Sequence, residues 1–486
     1  MMQEEIYERA RKSRDARFDG QFYIGVRTTG IYCRPICPAN TPKSENVMFF
    51  PTAAAASEAG YRPCLRCRPE CAPGTPAWSG TSATVRRGLK LIASGALDDS
   101  NIEELATRLG VTSRHLRRLF TKHLGASPLA VAHTQRLHFA KQLIDQTRLP
   151  MQEIAMAAGY GSIRRFNDSF VKTYGRSPRE LRRAADRSDD VDRGTALTVK
   201  LPCRMPFDWR ALLAFFSARA TPGIESVDGD RYLRTIKIDG QPGVIDLRQE
   251  AGGVVLTMHG ISTRNIFPVV QRCREMFDLD APMQEIANVL SRDVVLGRLL
   301  NKNPGVRVPG AWDGFELTVR AILGQQISVK AATTIAGRIA NTYGEPVSDQ
   351  GFSGLTHLFP EPERLARARF NNAGLTRGRA ETLRRMAQAV VNGSLTFDAS
   401  QDPATFRESL IAVPGIGEWT AQYVAMRAVK NPDAFPAADL GLLRAFDGPG
   451  RQRLKPGHLE EMSQGWRPWR AYAALLLWGS APGSGG

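Results

Sequence analysis

The sequence predicts a multidomain chain that runs from a small cysteine-bearing α/β domain through an all-α domain into an α+β domain and then a second all-α domain. Three observations predict it. At 486 residues the chain exceeds what one hydrophobic core usually holds. Four of its seven cysteines cluster near the start as C-x3-C and C-x2-C, 26 residues apart. Further on, a helical unit is repeated, and alternating apolar runs between 197 and about 300 give way to long period-3.6 segments from 310 onward.

Charge narrows the function classes. A formal net charge of +17 accompanies an ordinary hydrophobic content of 42%, which describes a folded protein with a polyanionic partner. Nucleic acid is the first candidate and an acidic membrane surface the rival. No apolar run approaches the ~20 residues of a spanning helix, and MMQEEIYERARKSRD lacks the apolar core of a signal peptide. The expectation is a cytoplasmic protein with no membrane partner.

The cysteine region closes in PECAPGTPAWSGTSA, residues 69–83, whose Pro, Gly, Ser and Thr read as a linker. Next, IEELATRLGVTSRHLRRLFTKHLGASP is echoed by MQEIAMAAGYGSIRRFNDSFVKTYGRSP. Each copy has an apolar-faced helix, a turn at Gly110 or Gly159, a Ser-capped second helix near 113–122 or 162–172, and a closing G-x-S-P. That pattern is a helix-turn-helix, twice. RRAADRSDDVDRGTA, 182–196, is charge-dense and reads as a second linker. RYLRTIKIDG, GVIDLR and GVVLTMHG then read as strands.

Two close cysteine pairs brought together from different loops suit tetrahedral zinc, with Cys33, Cys37, Cys64 and Cys67 as ligands. Spacing alone leaves a purely structural zinc open. VRTTGIYCRPICPAN, ENVMFF and AGYRPCLRCRPEC resemble the amino-terminal domain of bacterial Ada adaptive-response proteins. The resemblance implies that Cys33 irreversibly takes a methyl group from a DNA methylphosphotriester while it remains bound to one zinc ion. Zinc keeps a thiol deprotonated at neutral pH, which a free cysteine with pKa near ~8.5 does not achieve. Methylation lowers the negative charge of the centre by about one and so raises affinity for the phosphate backbone. Cys71, Cys203 and Cys273 read as ordinary small residues.

The repeated unit resembles the DNA-binding domain of AraC-type regulators. The second helices then offer Arg114, His115, Arg117 and Arg118, and Arg164, Arg165 and Asn167, to two successive major grooves. The plain alternative is a helical bundle whose arginines only solvate a surface.

In LIAVPGIGEWTAQYVAMRAV, 410–429, P-G-I-G sits between two helical patterns, and Gly415 and Gly417 free backbone N–H groups to hold a phosphate. Asp439 follows in FPAADLGLLRAF; alone it reads as a helix cap. Together the two resemble the helix-hairpin-helix DNA glycosylase superfamily. MPFDWRALLAFFSARA, AILGQQISVKAA and WRPWRAYAALLLW extend the resemblance to the AlkA type, 3-methyladenine DNA glycosylase II, over 197–479. It implies that Asp439 is the catalytic carboxylate and that Phe215, Trp419, Tyr423 and Trp469 line the pocket for a flipped base, stacking on the cationic methylpurine. It also implies a monovalent cation at the hairpin loop. Trp419 stands where strand-nicking relatives carry a Schiff-base lysine, so the expected enzyme is monofunctional. Two positions depart from the pattern: Gln326 replaces a leucine wedge, and Leu440 replaces an aromatic after the aspartate. Trp466 and Trp478 read as core.

The fold class is therefore a small zinc-bound α/β domain (1–75), an all-α double helix-turn-helix domain (84–183), an α+β domain (197–308) and an all-α helix-hairpin-helix glycosylase domain (309–480). The implied partners are double-stranded DNA, through its methylated phosphates, alkylated bases and promoter sites, and RNA polymerase; the implied place is the cytoplasm, on the nucleoid. The rival is an AraC-type regulator with structural zinc and a glycosylase-like half that only binds DNA.

Overall fold

The computed structural model describes residues 2–73, 83–98, 101–185, 196–348, 351–371, 373–398, 401–446 and 454–480. Most of both expected linkers, at 74–82 and 186–195, lies outside the described residues. Two compact units result: Met1–Arg204 with Glu250–Gln271, and Met205–Gln249 with Arg272–Gly486.

The first unit opens with α1 (Met2–Ser13), β1 (Tyr23–Val26), β2 (Ile31–Cys33), β3 (Val47–Phe50), α2 (Ala53–Glu58) and β4 (Arg62–Pro63). The strands order as β3-β1-β2-β4, with β2 and β4 parallel. Thr52 caps α2 by accepting from the Ala55 N–H at 3.0 Å, which anchors four buried alanines against Tyr23 and Tyr32.

Helices α3 (Ala83–Ala93), α4 (Ile102–Arg108), α5 (Ser113–Leu124), α6 (Pro128–Gln146), α7 (Met151–Ala157), α8 (Ile163–Tyr174) and α9 (Pro178–Ala185) follow. The duplication reaches the backbone angles. Gly110 and Gly159 turn at φ 70° and 75°, and Gly125 and Gly175 end α5 and α8 at 69° and 65°, a left-handed conformation that suits glycine. Ser127 caps α6 ahead of Pro128 at the first helical position, and Ser177 with Glu180 forms a reciprocal cap on α9. Ser162 caps α8 as expected, whereas Thr112 does so for α5.

Long α6 carries much of the unit. The Tyr32 hydroxyl meets His138 Nε2 at 2.8 Å, and burial pushes His138 down to about 4, so the ring is neutral at pH 7. Arg68 pairs with Asp145, which also accepts from Lys141 at 2.5 Å. At its far end the Gln142 side chain donates to Lys200 O at 2.8 Å, and Phe139 packs on Phe267 with centroids 4.7 Å apart.

Next come β5 (Leu197–Pro202), α10 (Trp209–Ser217), β6 (Glu225–Asp228), β7 (Arg231–Ile238), β8 (Gln241–Glu250) and β9 (Gly253–His259). In the first unit β5 pairs antiparallel with β9, and in the second β6 and β8 flank β7, also antiparallel. Helices α11 (Ile266–Met276), α12 (Met283–Leu290), α13 (Val294–Lys302), α14 (Gly314–Leu323), α15 (Val329–Tyr343), α16 (Pro362–Ala366), α17 (Arg377–Val391), α18 (Pro403–Ile411), α19 (Glu418–Arg427), α20 (Leu440–Arg444), α21 (Pro456–Ser463) and α22 (Arg470–Ser480) complete the chain. Among the described residues no helix is long and apolar enough to cross a membrane.

A buried ion network joins β6 and β7 to α14. Arg234 pairs with Glu225 at 2.9 Å and with Glu316, while Arg320 reaches Glu225 at 2.8 Å and Glu316 at 3.2 Å. Burial alone would raise the Glu225 pKa, but the guanidiniums of Arg320 and Arg234 outweigh it and bring it down to about 2. Because the folded value lies below the unfolded one, near ~4.3, this group stabilises the fold fully above that pH and ceases to as pH falls through 2. Glu225→Gln is therefore expected to abolish an acid-sensitive component on the order of 3 kcal/mol, read as a flatter dependence of the thermal midpoint on pH below ~4.3.

Candidate functional site

The metal-ligand cluster follows from strand register. Parallel β2 and β4 pair Ile31 with Arg62 and Tyr32 with Pro63, so the next residues along, Cys33 and Cys64, leave the sheet side by side. Cys64 N–H donates to Tyr32 O at 3.0 Å, which fixes that register. Turns closed by Cys37 N to Arg34 O at 3.1 Å and Arg68 N to Cys64 O at 3.1 Å bring in Cys37 and Cys67. All four sulfurs lie within 4.8 Å of one another, compatible with the roughly 3.8 Å spacing of four sulfurs about a tetrahedral zinc. The donor set fits the metal.

The four cysteines are not equivalent. Cys64 and Cys67 are buried at 7% exposure each, whereas Cys33 and Cys37 are half-buried. The Arg34 N–H donates to Cys67 Sγ at 3.3 Å, and its guanidinium pairs with Asp19. The Cys33 thiol is pushed up by the hydrogen bonds it donates to the Cys37 and Cys64 sulfurs, and a divalent ion held by the quartet would remove that preference and let the sulfurs ionise together. Cys203 and Cys273 are buried elsewhere, and Cys71 is half-buried outside the cluster.

On the paired helices, Arg114, Arg117 and Arg118 of α5 and Arg164, Arg165 and Asn167 of α8 are all exposed. Their apolar counterparts, Leu116 and Phe120, Phe166 and Phe170, are fully buried. Each helix therefore turns one face to its core and a basic one outward. His115 Nδ1 lies 3.0 Å from the Arg118 guanidinium.

In the second unit, α18 and α19 form a hairpin across Val413–Gly417. Gly415 sits at φ +95°, and a Cβ there would meet Thr382 Oγ1 of α17 at 2.0 Å, so both backbone and space demand glycine. Gly417 caps α19, and both glycines are exposed. The first turn of α19 also carries Glu418, whose charge is paired by Arg407 at 2.7 Å.

Asp439 is a helix cap and more. One carboxylate oxygen accepts from the Leu442 N–H at 3.0 Å and from Trp478 Nε1 at 2.7 Å, and the other from Trp419 Nε1 at 2.7 Å. Three donors thus occupy three of roughly four lone-pair positions. The half-buried carboxylate faces a cleft also lined by Phe215, Tyr423, Gln326 and Leu440. Trp419 and Tyr423, one helical turn apart on α19, stack with centroids 5.3 Å apart and planes 10° apart. Leu440 is 55% exposed at the rim.

One pocket expectation is corrected. Trp469 does not reach the cleft: it is 3% exposed and packs edge-on against Tyr472. Trp478, expected as core, holds the carboxylate instead. Trp469 immediately precedes α22 and Trp478 lies near the end of that helix, nine residues on, so the two rings do not share a face. Trp466 is buried, as expected.

Five arginines in the cleft wall were missed, three of which meet its aromatics or the ion network. Arg219 and Arg427 lie over the Phe215 ring at 3.9 and 4.8 Å. Arg427 donates to the Tyr423 hydroxyl at 2.5 Å, and the third, Arg320, belongs to the ion network. Burial acts to raise the Tyr423 pKa, but the charges of Arg427 and Arg219 outweigh it and bring the phenol below its ordinary value. Arg427 sits one helical turn beyond Tyr423 on α19, but no sequence spacing links positions 219 and 320 to the hairpin; only the fold assembles the three.

Comparisons with known proteins now bear on these sites. Four family models match in succession: the metal binding domain of Ada over residues 7–70, a helix-turn-helix domain over 105–184, the AlkA N-terminal domain over 198–313, and the HhH-GPD superfamily of base excision DNA repair proteins over 319–471. The chain is 42% identical over 476 residues to a probable bifunctional transcriptional activator/DNA repair enzyme AlkA of Mycobacterium tuberculosis, covering 97% of this chain and 95% of that one. It is 34% identical over 280 residues to DNA-3-methyladenine glycosylase 2 of Escherichia coli, covering 56% of this chain and 94% of the other. Among solved structures, a 3-methyladenine DNA glycosylase from Archaeoglobus fulgidus shares the fold, with a TM-score of 0.51 at 23% identity, over 58% of this chain and 97% of that one.

Proposed function

The chain belongs to the family of bifunctional transcriptional activator/DNA repair enzymes that join Ada-type and AlkA-type domains, and from that premise we propose that it mends alkylated DNA at two chemically distinct centres. DNA is the common partner, met by the helix-turn-helix pair and by the glycosylase domain. The proposed boundaries are those expected, 1–75, 84–183, 197–308 and 309–480.

At the first centre, Cys33 Sγ attacks the methyl carbon of a methylphosphotriester. The S–C bond forms as the C–O bond breaks, and the phosphodiester anion leaves. Zinc, when held by Cys33, Cys37, Cys64 and Cys67, supplies the charge that keeps these sulfurs anionic. No residue regenerates the thiolate, so each chain acts once. Conversion of thiolate to thioether removes about one negative charge near the phosphates, which favours binding through Arg114, Arg117, Arg118, Arg164 and Arg165 at promoter sites. Activation there runs through RNA polymerase, and residence is cytoplasmic, on the nucleoid.

At the second centre the enzyme is a DNA-3-methyladenine glycosylase. The hairpin at Gly415 and Gly417 grips a phosphate, Gln326 fills the gap, and the extruded base stacks among Trp419, Tyr423 and Phe215. Arg219 and Arg427 already cover Phe215, and Arg427 also lies over the Tyr423 ring at 5.3 Å, so the Trp419 indole carries most of the stacking. The observation that carries this reading is the Asp439 carboxylate, fixed by two indole N–H groups at 2.7 Å beside the hairpin. Its three accepted hydrogen bonds favour a fixed negative charge opposite the oxocarbenium-like sugar over a free-swinging base. A monovalent cation on the hairpin carbonyls belongs to the same reading.

The direct test is release of free 3-methyladenine from alkylated duplex by the full chain; no release would end the glycosylase reading. Because Trp419 cannot form an imine, the product is expected to be an intact strand bearing an abasic site. Borohydride should trap no protein–DNA adduct, and breaks should appear only after alkali treatment.

A further inference from the structure

Gln326 lies in the connection from α14 to α15 with φ +58°, a left-handed conformation that costs a non-glycine residue of order 1 kcal/mol or more. Such a conformation persists only where its flanks over-determine it. On one flank, Ser328 caps α15 by accepting from the Ala331 N–H at 3.2 Å. On the other, the Gln325 side-chain amide donates to Gly415 O and to Thr420 Oγ1, each at 3.1 Å. Those acceptors belong to the hairpin and to the helix that carries Trp419 and Tyr423. The carbonyl of Gln325 itself accepts from the Arg379 guanidinium at 2.5 Å. Arg379 sits on α17, the same helix whose Thr382 abuts Gly415.

We infer that Gln325 is a positioning residue: its side chain latches the loop bearing Gln326 to the phosphate-gripping hairpin, with Arg379 as backstop, so that gap filling and backbone grip move as one body. The inference rests on the reading of Gln326 as the plug. A plug is useful only when it enters the stack in register with the phosphates held one nucleotide away. A loose plug loses that advantage to the entropy of ordering it at each encounter. The Gln325 side chain is committed to the hairpin and to α19, so its proposed action is through its neighbour. The sequence offers two adjacent glutamines in GQQ; both line the cleft, but Gln325 is half-buried and tied to the hairpin whereas Gln326 is exposed.

The test uses the full chain and one modified purine placed in two duplexes, opposite its normal partner or opposite an abasic site, where less pairing must be broken to extrude it. Single-turnover rates are compared for wild type, Gln325→Ala, Arg379→Ala and Gln326→Ala. The expected result is a paired-to-unpaired rate ratio about tenfold lower in Gln325→Ala, the size of effect that losing two hydrogen bonds permits. Arg379→Ala should shift the ratio in the same direction, and Gln326→Ala at least as far. A general loss of folding lowers both rates and leaves the ratio unchanged. A ratio shifted by Gln326→Ala but not by Gln325→Ala or Arg379→Ala overturns the latch alone. A ratio unmoved by Gln326→Ala overturns the plug, and the latch with it.

Discussion

Asp439→Asn is expected to lower the single-turnover release of 3-methyladenine by about 10²–10³, the range seen when one oriented electrostatic contact to developing charge is removed. The substitution is selective. Asparagine caps helices as well as aspartate does, so α20 keeps its first turn through the Leu442 N–H. What changes is charge and donor balance. The carboxylate offers one oxygen to Trp419 and the other to Trp478, both at 2.7 Å, and an amide has only one oxygen, so one indole N–H must lose its acceptor. That local cost, about 1–3 kcal/mol, is visible as a lowered thermal midpoint and is separable from the rate by working well below it. Affinity for an abasic-product duplex should hold, because the hairpin at Gly415 and Gly417 is untouched. Release within about tenfold of wild type would remove Asp439 from the chemical step.

Asp439 also shows what could be read without coordinates. Its capping role followed from local sequence, and its catalytic reading needed the hairpin twenty-two positions upstream, which is a motif of fixed spacing. The helix-turn-helix duplication was legible for the same reason: glycine turns and Ser-Pro starts are local signals, and they recur down to matching left-handed glycines. The cysteine quartet was legible as a pair of pairs. Strand register then explained why Cys33 and Cys64 meet.

Whatever depended on helical phase or long-range assembly was not legible. Trp469 and Trp478 share one short motif, yet Trp469 precedes α22 and packs in the core while Trp478, near the end of that helix, meets the carboxylate. The arginines over Phe215 come from α19 and from the residues just after α10, elements more than two hundred positions apart. The pairing of β5 with β9, some fifty residues away, was equally hidden, as was the Gln142–Lys200 contact that ties β5 to α6. Composition carries no information about such pairings.

Cys33→Ser is expected to abolish methyl uptake altogether. After exposure to methylated duplex, wild-type protein should gain the mass of one methyl group and the variant none. Residue exposure ranks the candidates without assigning the acceptor: Cys64 and Cys67 are buried at 7% each, and Cys33 and Cys37 are half-buried. Loss of uptake alone does not assign the residue, because serine at 33 also removes a metal ligand, and small zinc domains depend on their metal to fold. Fragmentation of the methylated wild-type peptide settles this, since it places the methyl on Cys33 or on Cys37 in intact protein. Methyl on Cys37, or uptake retained by the variant, would overturn the assignment. The same sample tests the signalling half of the proposal. Removing about one negative charge should tighten promoter binding severalfold at low salt, and the gain should shrink as added salt screens it. A gain that ignores salt would mean that methylation acts through a rearrangement, for which the Tyr32–His138 and Arg68–Asp145 contacts onto α6 are the available route.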